Sequence, residues 1–453
     1  GAYGTEGLET PVFDRVAREG VFFERAFIAA PSCTPSRGAV LTGQHIWRLG
    51  PGANLHSTLP AELPVYPQLL EDAGYFAGHT RKGWGPGNLE PGGRTERPAG
   101  PSFESFEAFL AERPEEDPFV FWFGSSDPHR DYSDSLRRAM GVAPSAVEVP
   151  PYLPDVPTVR RDIANYYAEV ERFDREVGRL MDRLEEAGEL TNTLLVISGD
   201  HGWPFPRGKS HLYDSGAQVP LAVHWPAGSE GGRTVADFVS LIDLAPTFLE
   251  AAGVDVPEEI QGRSLVPILE DERSGRVGPH RSHVITAKER HHGLSRADSS
   301  GYPMRAIRTD QFLYVRNYRP DRWPAGSPYV SSSQWIMSDT DDGATKSWMI
   351  EHADKPSVRP LFLLSFGKRP HEELYDLRTD PHQMHDVADE PEYAMVRDHL
   401  AKTLEGELRA LDDPRVIGGA DRFDEYPYYT GYGHERVEPP AAVRRALGLA
   451  GTE

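Results

Sequence analysis

Apolar positions along the first 250 residues switch between two periods. Thr10-Pro11 followed by Val12, Phe13, Val16 and Ala17, with Gly20 as a stop, keeps the spacing of one face of a short helix. Strand-like Val21-Phe22-Phe23 and Ala26-Phe27-Ile28 then lead into a loop. Residues 64–73 predict a second helix stopped by Gly74, and 75–80 a short strand. Phe119-Val120-Phe121-Trp122-Phe123 is a continuous apolar run, as expected of a strand buried on both faces. Residues 158–187 predict a long helix, with Tyr167, Val170, Phe173, Val177, Leu180 and Leu184 as its stripe and Gly188 as its end. Further strands are expected at 194–197 and 219–224, and a helix at 240–252. Buried strands alternating with helices imply an α/β domain with a largely parallel sheet sandwiched by helices.

The texture changes later. Short strands at 304–309, 311–317 and 373–377, with a helix at 393–411, predict a smaller C-terminal α+β domain. No repeat, low-complexity tract or flexible linker separates the parts. Two tightly packed domains, 1–300 and 301–453, are therefore expected.

Composition narrows the class. A chain of 453 residues with 38% hydrophobic content, 40 prolines and 43 glycines suits a loop-rich globular enzyme, and no apolar run is long enough to span a bilayer. The formal charge of −22 argues against nucleic acid as a partner. It also means that an anionic substrate would meet a repulsive far field, so capture has to be short-range. A single cysteine excludes an internal disulfide framework, and no Asn-x-Ser/Thr acceptor occurs. The abrupt start at Gly1 reads as a processed or truncated N-terminus.

That cysteine lies in Pro31-Ser32-Cys33-Thr34-Pro35-Ser36-Arg37-Gly38-Ala39-Val40-Leu41-Thr42-Gly43, where an apolar helix begins. Proline suits a first helical turn, and Arg37 stands one turn beyond Cys33, so the two side chains can face the same way. Free backbone N–H groups and a guanidinium beside a sulfur atom make a natural oxyanion site. On the residues alone, Cys33 reads as a small buried hydrophobe or as a low-pKa catalytic thiol.

Two predicted strands end in polar clusters, the place where open α/β sheets hold ligands. Ser125-Ser126-Asp127-Pro128-His129-Arg130 follows the first, and Ser198-Gly199-Asp200-His201-Gly202 the second. Asp200 and His201 form a candidate hard-cation pair, with flanking glycines allowing a sharp turn. Lys209, after Gly208, and Lys82, within Arg81-Lys82-Gly83-Trp84, add cations near the same rim. His56, His211 and Arg305 are candidate sugar or carboxylate contacts. Arg305 and Arg308, on an alternating pattern, also read as an exposed edge, and His291-His292 as a solvated pair.

Cys-x-Pro-Ser-Arg followed by Leu-Thr-Gly resembles the signature of the type I sulfatases, alkaline-phosphatase-like enzymes whose cysteine is oxidised to formylglycine. Gly20-Val21-Phe22-Phe23, Gly199-Asp200-His201-Gly202 and Glu373-Leu374-Tyr375-Asp376-Leu377 extend the likeness over nearly the whole chain. Asp127-Pro128-His129-Arg130, Pro204-Phe205-Pro206, Gly208-Lys209 and Tyr302-Pro303-Met304-Arg305 look most like the sulfamidase (N-sulfoglucosamine sulfohydrolase) branch and its bacterial relatives.

The resemblance implies that Cys33 becomes the formylglycine nucleophile and Arg37 steadies it. It implies a calcium ion on Asp200 and His201, with Lys82 and Lys209 on the sulfate oxygens. His129 is a candidate general acid or sulfate contact. Asp127, Arg130, His56, His211 and Arg305 are candidate substrate contacts.

The implied partners are a sulfated saccharide, from a glycosaminoglycan or other polysaccharide, and a formylglycine-generating maturation enzyme. No nucleic acid or membrane is expected, and oligomerisation is left open. The implied location is periplasmic or secreted, without excluding the cytoplasm.

Some positions depart from the pattern. The paired acidic metal ligands of that family lie on a strand expected upstream of Gly1, whose omission from the chain would account for their absence. His201 and Lys209 stand where the sulfamidase branch has asparagine and arginine, Ser126 where many members have histidine, and Gly83-Trp84 replaces a lysine–histidine arrangement. Two alternatives fit the same scaffold: a phosphonate monoester or phosphodiester hydrolase, and a non-catalytic carbohydrate-binding relative.

Overall fold

A computed structural model describes residues 1–332 and 335–449. Pro11 opens the first helix, Pro11–Glu19, where its missing N–H costs nothing, and Gly20 ends it. The next residues form the strand Val21–Phe27, the centre of a five-stranded sheet. Leu221–His224 and Gln218–Val219 pair with it antiparallel on one edge, and Arg233–Ser240 runs parallel on the other. Leu195–Ser198 extends the sheet antiparallel to Leu221–His224. A second sheet is wholly parallel: Ser102–Phe103, Phe76–Arg81 and Phe119–Gly124. The expected parallel pairing is thus concentrated in the three-stranded sheet, whereas the five-stranded one is mixed.

Helices cover both faces. Phe13, Val16, Val177, Met181 and Leu184 from Pro11–Glu19 and Pro157–Glu186 pack with Ile197 and Ala222 on one side. Val40, Leu241 and Leu244 pack with Phe27, Val235 and Phe238 on the other. Burying each of the larger of these side chains contributes roughly 1.5–3 kcal/mol.

Among the described residues, the strands Phe119–Gly124 and Leu195–Ser198 each lie at the edge of their sheet, bonded on one side only. Both line one cavity of about 1530 Å³. Phe119 to Phe123 are consequently half-buried rather than enclosed on both faces as expected. Val170, Phe173 and Leu180 of the long helix, which face the same space, are only half-buried for the same reason.

A four-stranded antiparallel sheet follows, in the order Glu372–Asp376, Phe312–Asn317, Met304–Thr309, His283–Lys288. It begins at residue 283, so the expected boundary at 300 falls inside it. The helix Ala394–Ala410 lays Leu400, Leu404 and Leu408 on Ile307, Tyr314 and Leu374. Ala29, Ala39 and Trp47 belong to that same core, so the segment around Cys33 and the C-terminal sheet share one interior. No helix among the described residues is long and apolar enough to cross a membrane.

Candidate active site

The helix Cys33–Thr42 is buried along its whole length. Cys33 occupies its first position, and Gly43, in the left-handed conformation, ends it. Ser32 precedes the helix but does not cap it, because its hydroxyl is within 2.8 Å of His291 Nδ1. Ser36 N bonds the Ser32 carbonyl at 2.9 Å and Pro35 carries no N–H, so among the described residues the Cys33 and Thr34 N–H groups remain available beside the sulfur atom.

Arg37, one turn on, donates from Nε to Asp200 Oδ2 at 2.7 Å and from Nη1 to the Lys82 carbonyl. One guanidinium thus ties the cysteine helix to the ends of two strands in different sheets. Gly124 allows this approach: a Cβ there would sit 2.1 Å from the Lys82 carbonyl oxygen. Asp200 and His201 follow the strand Leu195–Ser198. Gly202 makes their turn, since a Cβ on it would fall 2.1 Å from Ser215 O, whereas Gly199 has room for a side chain. His201 Nε2 lies 3.3 Å from Cys33 Sγ, and its Nδ1 is satisfied by the Gly202 carbonyl at 2.8 Å. Lys209 is brought in by two backbone bonds, Lys209 N to Trp203 O and Ser210 N to Pro31 O. Its ammonium donates to Asp341 at 2.8 Å.

Charge follows geometry. Burial opposes ionisation of Cys33, but Lys209, Lys82 and His201 together outweigh it and hold the thiol well below its usual range. Burial likewise opposes the Asp200 carboxylate, and Arg37, His201 and Lys82 overcome it, so Asp200 stays ionised. Burial pulls His201 down, while Asp200 and the sulfur draw it up to a net rise. The surroundings of residue 33 therefore favour a negative charge there.

Cys33, Arg37, Lys82, Asp127, His129, Asp200, His201 and Lys209 all line the large cavity. The structure gathers these predicted residues and leaves four others outside. Arg130 is spent on a two-pronged pair with Asp162 at 2.9 and 3.0 Å, which fastens a loop to the long helix. His211 is buried, and desolvation drives it well below the usual histidine range. Arg305 is fully buried between Asp413 and Glu289, far from an exposed edge. As substrate contacts these three are corrected: each is a structural group enclosed by the fold. His56 is half-buried against Tyr428, close enough to the sulfur and to Lys209 to feel their charge.

Asp127 lines the cavity, but its carboxylate accepts two bonds of 2.6 Å from Arg172, so it positions the strand end rather than offering a free charge. Glu169 shares that arginine. Burial, with Asp127 adding and Arg172 opposing, pushes its carboxyl up to about 7. The folded protein thus holds a proton that the unfolded chain, near 4.5, has released. This contribution to stability is complete below pH 4.5 and lost as pH rises through about 7. The melting temperature of Glu169→Gln is therefore expected to gain on the parent from pH 4.5 to 7. Parallel thermal melts measure this, and a constant difference would show that Glu169 is ionised throughout.

Among the described residues, only Cys33, Asp200 and His201 bring three candidate ligand atoms within 4.8 Å of one another. Calcium takes six to eight oxygen ligands. One carboxylate already shared with Arg37, an imidazole and a sulfur do not by themselves make such a site.

Sequence reasoning missed Asp341, His291 and Glu169. His291 is buried against Ser32 rather than solvated. Asp341 sits in an Asp-Thr-Asp-Asp run that reads as a solvated loop, and only the fold carries it to Lys209, 132 residues away.

A cysteine at a buried helix start shares one cavity with an arginine, two lysines and an Asp–His pair, and the chain belongs to the sulfatase family. The sulfatase family model matches residues 1–89 and 98–254, and the N-sulphoglucosamine sulphohydrolase C-terminal model matches residues 199–323. The chain is 28% identical to human N-sulphoglucosamine sulphohydrolase, over 89% of this chain and 86% of that protein. It is 26% identical to an ulvan-active sulfatase of Formosa agariphila, over 91% of this chain and 72% of that one. Solved structures share the fold. One is a protein in complex with its substrate D-glucosamine-2-N,6-O-disulfate, with a TM-score of 0.61 and 20% identity, covering 89% of this chain and 93% of that one. Another is a phosphonate monoester hydrolase from Silicibacter pomeroyi, with a TM-score of 0.59 and 17% identity, covering 90% and 92%.

Proposed function

We propose that the chain hydrolyses a sulfate ester or sulfamate of a sulfated sugar, with residue 33 as the nucleophile after conversion to formylglycine. The observation that carries this reading is the position of the Cys33 side chain in one cavity with Arg37, Lys82, Lys209 and His201. Both sulfatases above support a sulfated saccharide as the substrate class. Formylglycine, once formed and hydrated, supplies two hydroxyls on one carbon, one to attack sulfur and one to expel sulfate.

The chain's own groups do the rest. Lys82 and Lys209 compensate charge on the sulfuryl oxygens, which matters most in a buried, water-poor pocket. Arg37 fixes the position of Asp200 and stands beside residue 33. His129 bonds through Nδ1 to the Arg130 carbonyl at 2.7 Å. Nδ1 carries the hydrogen of that bond, so Nε2 can give a proton to the leaving oxygen or nitrogen only when the ring is in its imidazolium form. Asp200 would be one oxygen ligand to a calcium ion, with His201 beside it. Cys33 is only 2% exposed, so a maturation enzyme has to reach this segment before it folds.

The test is release of free sulfate from defined sulfated saccharides by protein made together with a maturation enzyme, alongside aryl sulfate and aryl phosphonate esters. Sulfate release and preference for the aryl sulfate are expected. A clear preference for the phosphonate would replace this reading with a phosphonate hydrolase.

A further inference from the structure

A carboxylate is out of place in a pocket built for an anion, yet Asp341 lines the cavity and holds Lys209. Its setting is unusual. The loop 338–343 carries three aspartates, and a buried lysine meets each one: Lys288 and Lys209 from distant parts of the chain, and Lys346 from the helix that follows the loop. Asp339 receives Lys288 at 3.3 Å, together with Arg296, Ser295 and the His292 N–H. Asp342 receives Lys346 at 2.8 Å, and the same ammonium also bonds the Thr340 carbonyl. The backbone on both sides of Asp341 is thereby fastened. Lys209 reaches it on a four-carbon stem, so the lysine is the partner able to move.

The cations of the pocket are not equivalent. Arg37 is neutralised by Asp200 and Lys209 by Asp341, while Lys82 makes no ion pair among the described residues. An incoming sulfate therefore finds one free ammonium and one already engaged. Full use of Lys209 requires loosening a buried 2.8 Å pair, and departure of sulfate restores it.

We propose that Asp341 is a built-in counter-anion that competes with sulfate for Lys209, weakening the hold on the product and speeding its release. The inference rests on the placement of sulfate at Lys209 in the reading above. Asp341 acts through Lys209 and is a positioning residue.

The probe is inorganic sulfate. Calorimetry on the parent and on Asp341→Asn, which keeps the shape and an acceptor oxygen but removes the charge, measures its binding. Sulfate is expected to bind the variant about tenfold more tightly, a change of roughly 1.4 kcal/mol. The gain is expected to vanish in a Lys209→Gln background. With matured enzyme, product inhibition by sulfate should strengthen in Asp341→Asn.

If Asp341 merely held Lys209 in place, the variant would bind sulfate more weakly, and equal or weaker binding overturns the proposal. Asp341→Ser serves if the asparagine variant does not fold, and failure of both to fold would assign the carboxylate to the fold instead. Absence of sulfate binding in both the parent and Asp341→Asn overturns this inference together with the assignment of Lys209 to the sulfate. Measurable binding without a gain in the variant overturns the counter-anion role alone.

Discussion

Replacing Cys33 with alanine is expected to reduce turnover to background, a loss on the order of 10⁴–10⁶-fold as for removal of a covalent nucleophile. The fold should survive. Residue 33 contributes one small buried atom to packing, and the helix it starts is held by Val40, Leu41 and the Gly43 cap. Binding should survive as well, because Lys82, Lys209 and His201 remain. The discriminating result is therefore a collapse of kcat with sulfate affinity and thermal midpoint little changed. Near-normal rates in Cys33→Ala would end the nucleophile assignment. A large drop in melting temperature would instead make Cys33 a packing residue.

The second large effect concerns stability. Arg305 is fully buried, with Nε and Nη2 on Asp413 at 2.5 and 3.0 Å and Nη2 also on Glu289 at 2.7 Å. Arg415 closes the cluster on Glu289 at 2.5 Å, and Trp47 lies against the Arg305 guanidinium. Arg305→Ala would leave a buried carboxylate without its partner, which typically costs about 3–5 kcal/mol. That is a large share of the stability of an ordinary domain. Urea unfolding should show the loss as a lower midpoint with an unchanged slope. A cost below about 1 kcal/mol would mean that water enters the cluster and solvates Asp413.

Much of this architecture was legible locally. The helix Pro157–Glu186 and the strands Met304–Thr309 and Phe312–Asn317 follow their sequence periods to within a residue or two. Cys33 and Arg37 were legible because they lie one helical turn apart, and Asp200 and His201 because they end an apolar strand. What escaped was set by partners distant in sequence. Arg305 alternates with apolar neighbours, as on an exposed edge, until Asp413 arrives from 108 residues away. Asp341 and His291 carry no local signal, since their meaning lies in Lys209 and Ser32. The half-burial of Phe119–Gly124 was hidden for a related reason: an apolar run shows that a strand avoids water, and not whether both neighbours are present.

The net charge of −22 has a colloidal consequence. Copies of this chain repel one another over about 30 Å at 0.01 M salt but over only about 3 Å at 1 M. Dilute buffer therefore keeps the acidic molecules apart, whereas brine lets their surfaces come close.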